Sequence, residues 1–359
     1  MEDRSDRSTA ENKMYKISPL INCFQLDENN VVIGAGSTQK VVTSKQYVQY
    51  KKIMDFLLEE KEEGELLRFV LDNGFEEEII NELLDAKLIT QSKCIFTKED
   101  TNDFKNRLYV ETLYSDTDLI MDRFRKMSFI VVGCGGIGNY LGYSLLSMNP
   151  RTMVLIDGDR VEENNLNRQF YFGRDDIGEY KADILSREFR KRNRDVKLSV
   201  YNQYSDEKML IDVVRKEQKE GEVLIIISGD ANNVISTVTK VAVKCKVPFL
   251  NVGYLNDYSC IGPFYIPGKS SCPFCQNVGA DYFEDAEESE EFFRHYYDAP
   301  SAAVNNSIAS AMAYIDILHF IGGDYTRINS LNKRVGISNG DFEKLEIAIE
   351  KNEKCKYCG

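Results

Sequence analysis

Two groups of residues in this 359-residue chain have the types and spacing for chemistry. The first is Gly133-Cys134-Gly135-Gly136-Ile137-Gly138, with Asp157 nineteen residues beyond Gly138. The apolar run Phe129-Ile130-Val131-Val132 leads into the glycines, and a helical stretch over 139–148 leads away. A second apolar run, Met153-Val154-Leu155-Ile156, ends at Asp157. A buried strand feeding a glycine turn that opens a helix makes a phosphate cradle. Gly133 allows the tight turn, Gly135 beside Gly136 lets the backbone approach a phosphate, and Gly138 lets helix and strand pack closely. The helix start offers free N–H groups to an anion. A carboxylate at Asp157 can accept hydrogen bonds from ribose hydroxyls. The glycine pattern alone also fits a tight strand–helix turn that holds no ligand.

The second group is Cys272-Pro273-Phe274-Cys275 with Cys355-Lys356-Tyr357-Cys358. Two such knuckles supply four thiolates, the set for tetrahedral Zn²⁺, and four thiolates leave no open position, so the metal would be structural. The bland alternatives are redox-active pairs or free thiols.

The elements that must position these groups are legible around them. Residues 223–227 form a buried strand ending at Ser228-Gly229-Asp230, where open α/β sheets bind ligands. Strands follow at 247–254 and 261–268, and an apolar helix at 308–321, with Asn305 and Asn306 placed to cap it. Strands alternating with helices predict an α/β domain on a Rossmann-like, mostly parallel sheet over 129–359. Upstream, residues 1–13 read as a disordered tail. Short strands at 17–26 and 31–33 precede a helix capped by Ser44, with Val48, Ile53, Met54, Leu57 and Leu58 as its apolar stripe. Two short helices follow, at 66–71 and 76–86. The whole of 14–97 predicts a small winged-helix-like module, joined through a linker and helical lead-in at 98–128. The module's third helix carries Glu76, Glu77, Glu78, Glu82 and Asp85, which disfavours a nucleic-acid groove.

Composition narrows the class. Net charge is −13, again against nucleic acid as the main partner. No apolar run reaches the ~18 residues of a membrane span. The first residues lack the apolar core of a signal peptide. Nine cysteines without an export signal point to a reducing cytoplasm, and to metal binding over disulfides.

The loop after Asp157 is the most specific stretch. Asn165, Arg168 and Gln169 cluster there, and Arg suits bidentate contact with phosphate. Asp157-x-Asp159-x-Val161-x-x-x-Asn165-Leu166-x-Arg168-Gln169 resembles the signature of the ThiF/MoeB/ubiquitin-activating superfamily, whose members adenylate a carboxylate. The resemblance runs from about residue 105 to the C-terminus. It implies ATP on the glycine turn, with Asp157 on the ribose and Asp159, Asn165 and Gln169 in the same site. It further implies Arg168 and Lys181 on the phosphates, and Mg²⁺ on Asp230. The bland reading of Asp230 is a helix N-cap. The wide separation of the cysteine pairs also resembles this superfamily, where zinc clamps the C-terminus. An Arg upstream of the first strand reaches the partner subunit's triphosphate in a homodimer; Arg107 is the candidate, with Arg123 and Arg125 as alternatives. One departure is Ile235, where the sulfur-carrier branch has Arg.

Some relatives form a thioester on a cysteine beyond the first zinc pair. Here 276–307 contains no cysteine and an acidic run, and the chain has only His295 and His319. The strands around Asn251-Val252-Gly253-Tyr254 and Val304-Asn305-Asn306 are similar to the microcin-C-type branch, which activates a carboxylate on a ribosomally made precursor peptide. The resemblance implies that the N-terminal module grips the peptide's leader by strand addition; packing or dimerisation is the alternative. Capture of the adenylate within the peptide is expected, by an internal amide or, as in pantocin-A-type systems, through an activated Glu side chain. The expectation leans to the second. The rival classes are adenylation of a ubiquitin-like sulfur carrier's C-terminal Gly, and a scaffold without activity.

Overall fold

The computed structural model describes residues 13–229, 234–276 and 300–359. The expected tail at 1–13 lies, apart from Lys13, outside the described residues. The chain divides into two compact units, Met1–Asp122 and Arg123–Gly359.

In the first unit β1 (Met14–Ile17) is the centre of a three-stranded antiparallel sheet, flanked by β5 (Lys61–Glu62) and β6 (Ile89–Thr90). A second small sheet runs in order β2 (Asn22–Gln25), β3 (Asn30–Gly34) and β4 (Lys40–Thr43). The expected strand over 17–26 is thus two strands serving different sheets. Helices α1 (Ser44–Phe56), α2 (Glu63–Asp72) and α3 (Glu78–Asp85) supply the core. The cap of α1 is Thr43, one residue before the expected Ser44. The Thr43 hydroxyl accepts from Gln46 N, and the Gln46 side chain accepts from Thr43 N. Tyr50, Ile53, Met54 and Leu57 are buried on one face of α1 and its end. Val48 and Leu58, expected in that stripe, are 64% and 63% exposed, because they fall off the arc that Tyr50 fills. Helices α4 (Phe104–Leu113) and α5 (Thr117–Lys126) form the expected helical lead-in.

The second unit bears out the Rossmann-like α/β expectation. Among the described residues its eight-stranded sheet consists of β7 (Met127–Val132), β8 (Thr152–Ile156), β9 (Lys197–Tyr201), β10 (Glu222–Ile227), β11 (Phe249–Leu255), β12 (Tyr258–Tyr265), β13 (Lys333–Ser338) and β14 (Lys344–Ala348). Their order is β14-β13-β12-β11-β10-β7-β8-β9. The run β11-β10-β7-β8-β9 is parallel; β12, β13 and β14 extend it antiparallel. Among the described residues the helices of this unit are α6 (Gly136–Leu146), α7 (Lys181–Arg192), α8 (Glu207–Gln218), α9 (Val234–Cys245) and α10 (Ala303–Gly322). Strand β7 is buried at every position, as a parallel strand covered on both faces should be. On one face Ile130, Val132, Val154, Ile225 and Ile227 pack with Leu210 and Val214 of α8 and Val238 and Val241 of α9.

Candidate active site

Strand order sets the location. From β7 the chain steps outward through β8 and β9, then returns to place β10 on the other side of β7. The carboxyl ends of β7 and β10 therefore flank a topological switch point, where open α/β sheets hold ligands. The register pairs Val132 with Ile227, so the glycine turn and Ser228-Gly229 emerge side by side. Gly133 has φ +104°, and a Cβ there would lie 2.6 Å from Gly229 N, so only glycine fits. Ser228 Oγ donates to the Gly133 carbonyl at 2.7 Å and fixes the two turns together.

Asp157 follows β8 and is 9% exposed. Its Oδ2 accepts from Cys134 N at 2.6 Å and its Oδ1 from Asp159 N at 2.7 Å. Burial pushes its pKa up, and the two amide N–H bonds pull against that rise. Each oxygen keeps a lone pair for a further donor. A cleft opens beside it, lined by Val132, Gly133, Asp157, Asp159, Tyr204 and Gly229, among others.

Asp159 joins the parts of this cleft. Its backbone carbonyl accepts from Lys181 N at 3.0 Å, its Oδ2 accepts from Lys181 Nζ at 2.8 Å, and its Oδ1 accepts from the Tyr204 hydroxyl at 2.5 Å. Its pKa ends below the ordinary range: desolvation is the largest single influence and raises it, but the Lys181 and Tyr204 bonds outweigh that. Lys181 opens α7 and is 8% exposed. Gln169 is 4% exposed, its Oε1 lacks a partner, and its Nε2 lies 3.6 Å from the Cβ position of Gly135. A glycine turn with N–H groups at a helix start and a buried Lys suit phosphate oxygens, while the unpartnered Gln169 Oε1 and the Asp157 carboxylate can accept from a nucleotide's hydroxyl or amino groups.

Other expected residues are placed differently. Asn165 caps its own turn: Oδ1 accepts from Glu162 N, and Nδ2 donates to Asn164 Oδ1. Arg168 Nη1 donates to the Asn164 carbonyl and Asn167 Oδ1. Arg107 is 5% exposed, and its guanidinium binds the Cys94 carbonyl, Glu99, Thr101 and Asp103 within the first unit. Arg123 donates to the Ile321 carbonyl. Asp230 and the acidic run at 281–294 lie outside the described residues.

One residue near the cleft, Tyr204, was not picked out from sequence. Tyr204 packs its ring against Gly158, where a Cβ would meet it at 2.9 Å. The available signal was position: Tyr204 follows a parallel strand at the sheet's carboxyl edge. Asn306, expected as a helix cap, lies over Gly136, its amide 2.3–2.6 Å from the Cβ position there. Its neighbour Asn305 accepts from Ala302 N and donates to the Asn256 carbonyl.

The four cysteines converge. All their sulfurs lie within 4.8 Å of one another, with contacts of 3.7 Å (Cys272–Cys355), 3.9 Å (Cys275–Cys272) and 3.5 Å (Cys275–Cys358). Tetrahedral zinc with Zn–S of about 2.3 Å sets its sulfurs about 3.8 Å apart, so the donor set fits that ion. Phe274 stacks on Tyr357, whose hydroxyl bonds Ser236 of α9, fastening the C-terminal knuckle to the sheet unit.

The description of the ThiF family matches residues 106–357, more than two thirds of the chain. The chain belongs to the ThiF family. Its fold superposes on Escherichia coli MccB, solved with MccA-N7isoASN, at a TM-score of 0.80 and 25% identity, covering 96% of this chain and 100% of MccB. The structure of PaaA superposes at 0.64 with 19% identity, covering 92% and 98%, a likeness of fold. SUMO-activating enzyme subunit 2 of Dictyostelium discoideum is 29% identical over 160 residues, 44% of this chain and 23% of that protein. The sulfur carrier protein ThiS adenylyltransferase of Escherichia coli is 28% identical over 102 residues, 28% of this chain and 41% of that protein. The chain spans less than half the length of these curated relatives. Among the described residues no helix is long and apolar enough to cross a membrane.

Proposed function

We propose that this ThiF-family chain is an ATP-dependent enzyme that adenylates a carboxylate on a ribosomally made precursor peptide, in the maturation of a peptide natural product. The observation that carries the reading is the end-to-end match to MccB. Coverage of 96% leaves only about 14 residues unmatched, so the N-terminal unit is included. MccB itself is described as the Microcin C7 biosynthetic enzyme, solved with N-formylated MccA and, separately, with ATP.

In the reaction a peptide carboxylate oxygen attacks the α-phosphorus of ATP and pyrophosphate leaves, giving an acyl adenylate. Asp157 orients the ribose. The glycine turn and Gln169 approach the phosphates. Lys181 and Arg168 offset the charge that grows on the leaving group. Arg168 would have to turn from Asn164, and a role for Arg107 across a homodimer would require release of its four partners. Asp230 would hold Mg²⁺, which would supply positive charge beside the triphosphate, and Cys272, Cys275, Cys355 and Cys358 would hold a structural Zn²⁺. Positioning supplies most of the catalysis.

The adenylate is captured within the peptide, because 276–307 offers no cysteine for a thioester. The tighter superposition on MccB supports capture by an internal amide first. Capture through a Glu side chain, the pantocin-type outcome, rests on the PaaA fold likeness. The second reading, adenylation of a ubiquitin-like sulfur carrier, is favoured by the identity to the ThiS adenylyltransferase. Mass spectrometry of a precursor peptide encoded beside the gene, incubated with enzyme and ATP, tests the first reading. An adenylated or dehydrated peptide is expected; an unmodified peptide beside an adenylated ubiquitin-like protein overturns it.

A further inference from the structure

Asp159 stands where a polyphosphate would find it unwelcome. It is a carboxylate beside Lys181 and lines the same cleft as Gly133 and Gly229. In the protein as it stands, Asp159 has two side-chain donors, one per oxygen: the Lys181 ammonium and the Tyr204 hydroxyl. Its backbone is fixed on both sides, by Asp157 Oδ1 and by Lys181 N. One edge of the Tyr204 ring lies against Gly158 while the residue as a whole is 51% exposed, and its hydroxyl reaches Asp159 Oδ1.

We infer that Tyr204 is a positioning residue for nucleotide phosphates, acting through Asp159 on Lys181. Lys181 is a single charge shared between two anions, Asp159 and an incoming phosphate. The Tyr204 hydroxyl is a neutral donor that serves Asp159 and does not compete for phosphate. With it in place, Asp159 stays hydrogen-bonded as Lys181 turns to the phosphate. Without it, phosphate binding removes the last side-chain donor from Asp159, and that loss opposes binding. The inference rests on reading the cleft as the ATP site.

The test is direct binding by calorimetry, with ATP and adenosine as separate probes, on wild type, Tyr204→Phe, Lys181→Met and the double variant. Phenylalanine keeps the ring on Gly158 and removes only the hydroxyl. Tyr204→Phe should weaken ATP binding about tenfold, the scale of one hydrogen bond to a charged group, and leave adenosine binding unchanged. In the Lys181→Met background the same change should leave ATP binding unaltered. Equal losses for ATP and adenosine, no loss for either, or an undiminished loss without Lys181 each overturn the inference. Wild type that binds no ATP would instead sink the reading of the cleft itself.

Discussion

Lys181 and Asp157 carry the heaviest burden of any single side chains in the cleft. Each is nine-tenths buried or more, and each is ionisable. Such groups persist only where partners offset their desolvation. Lys181→Met keeps the stem and removes the charge. It should lower kcat/KM for ATP by about 10²–10³-fold, the scale of one electrostatic donor at a reacting centre. Unchanged steady-state kinetics in that variant would remove Lys181 from the site. Glu111 in the first unit offers a contrast. It is 2% exposed and accepts from the hydroxyls of Thr90, Ser92 and Thr117, yet burial still raises its pKa. A carboxyl whose folded pKa is raised contributes most stability when protonated, and that contribution falls as pH rises through the folded pKa. The Tm of wild type relative to Glu111→Gln should therefore decline from pH 4 to pH 7; a flat or rising difference would contradict it. The strand-turn spacing singled out Asp157 and the family resemblance singled out Lys181, and in the structure Asp159 bonds to both. The sequence pattern did not separate Asn165, which caps its own loop, from Gln169, whose Oε1 is left without a partner. Both lie in one motif, and only the fold of the loop tells their bonds apart.

Elements turn these residues into a site. The turn after β7 needs glycine for two reasons at once at Gly133: positive φ and the backbone of Gly229 against it. Gly133→Ala should lower the Tm by several degrees, since left-handed strain alone costs about 1–3 kcal/mol, and should abolish ATP binding. Gly64, in α2 with open space around it, is the matched control. Gly64→Ala should be neutral or stabilising by up to about 1 kcal/mol. Equal effects of the two changes would contradict the packing account. The cysteine knuckles are the other element-scale device. Cys272→Ser should remove bound zinc, read as metal per chain, and loosen the C-terminal knuckle from α9; unchanged metal content would dismiss the zinc assignment. Parallel strands were legible as apolar runs because both faces are buried. The strands of the first unit were less so. Two short sheets share 14–43, and alternation over four residues cannot say which sheet a strand joins. Val48 and Leu58 were misplaced for a related reason: helical periodicity gives a stripe, and Tyr50, an amphipathic ring, took the inward arc.

At the scale of the whole molecule, the N-terminal unit of small sheets and short helices and the sheet unit with its glycine-lined cleft both fall within the stretch that superposes on MccB, and the proposed peptide-carboxylate reading rests on that extent. Sequence identity to the SUMO-activating subunit and the ThiS adenylyltransferase covers 44% and 28% of this chain, and the superposition on MccB, a comparison of fold, covers 96% of it. The most direct measurement is ATP–pyrophosphate exchange with the purified chain, comparing a short precursor peptide encoded beside its gene with a ubiquitin-like protein ending in Gly-Gly. Exchange that depends on the short peptide is the predicted result. Exchange only with the ubiquitin-like protein, or none with either in protein that binds ATP, would contradict peptide-carboxylate adenylation.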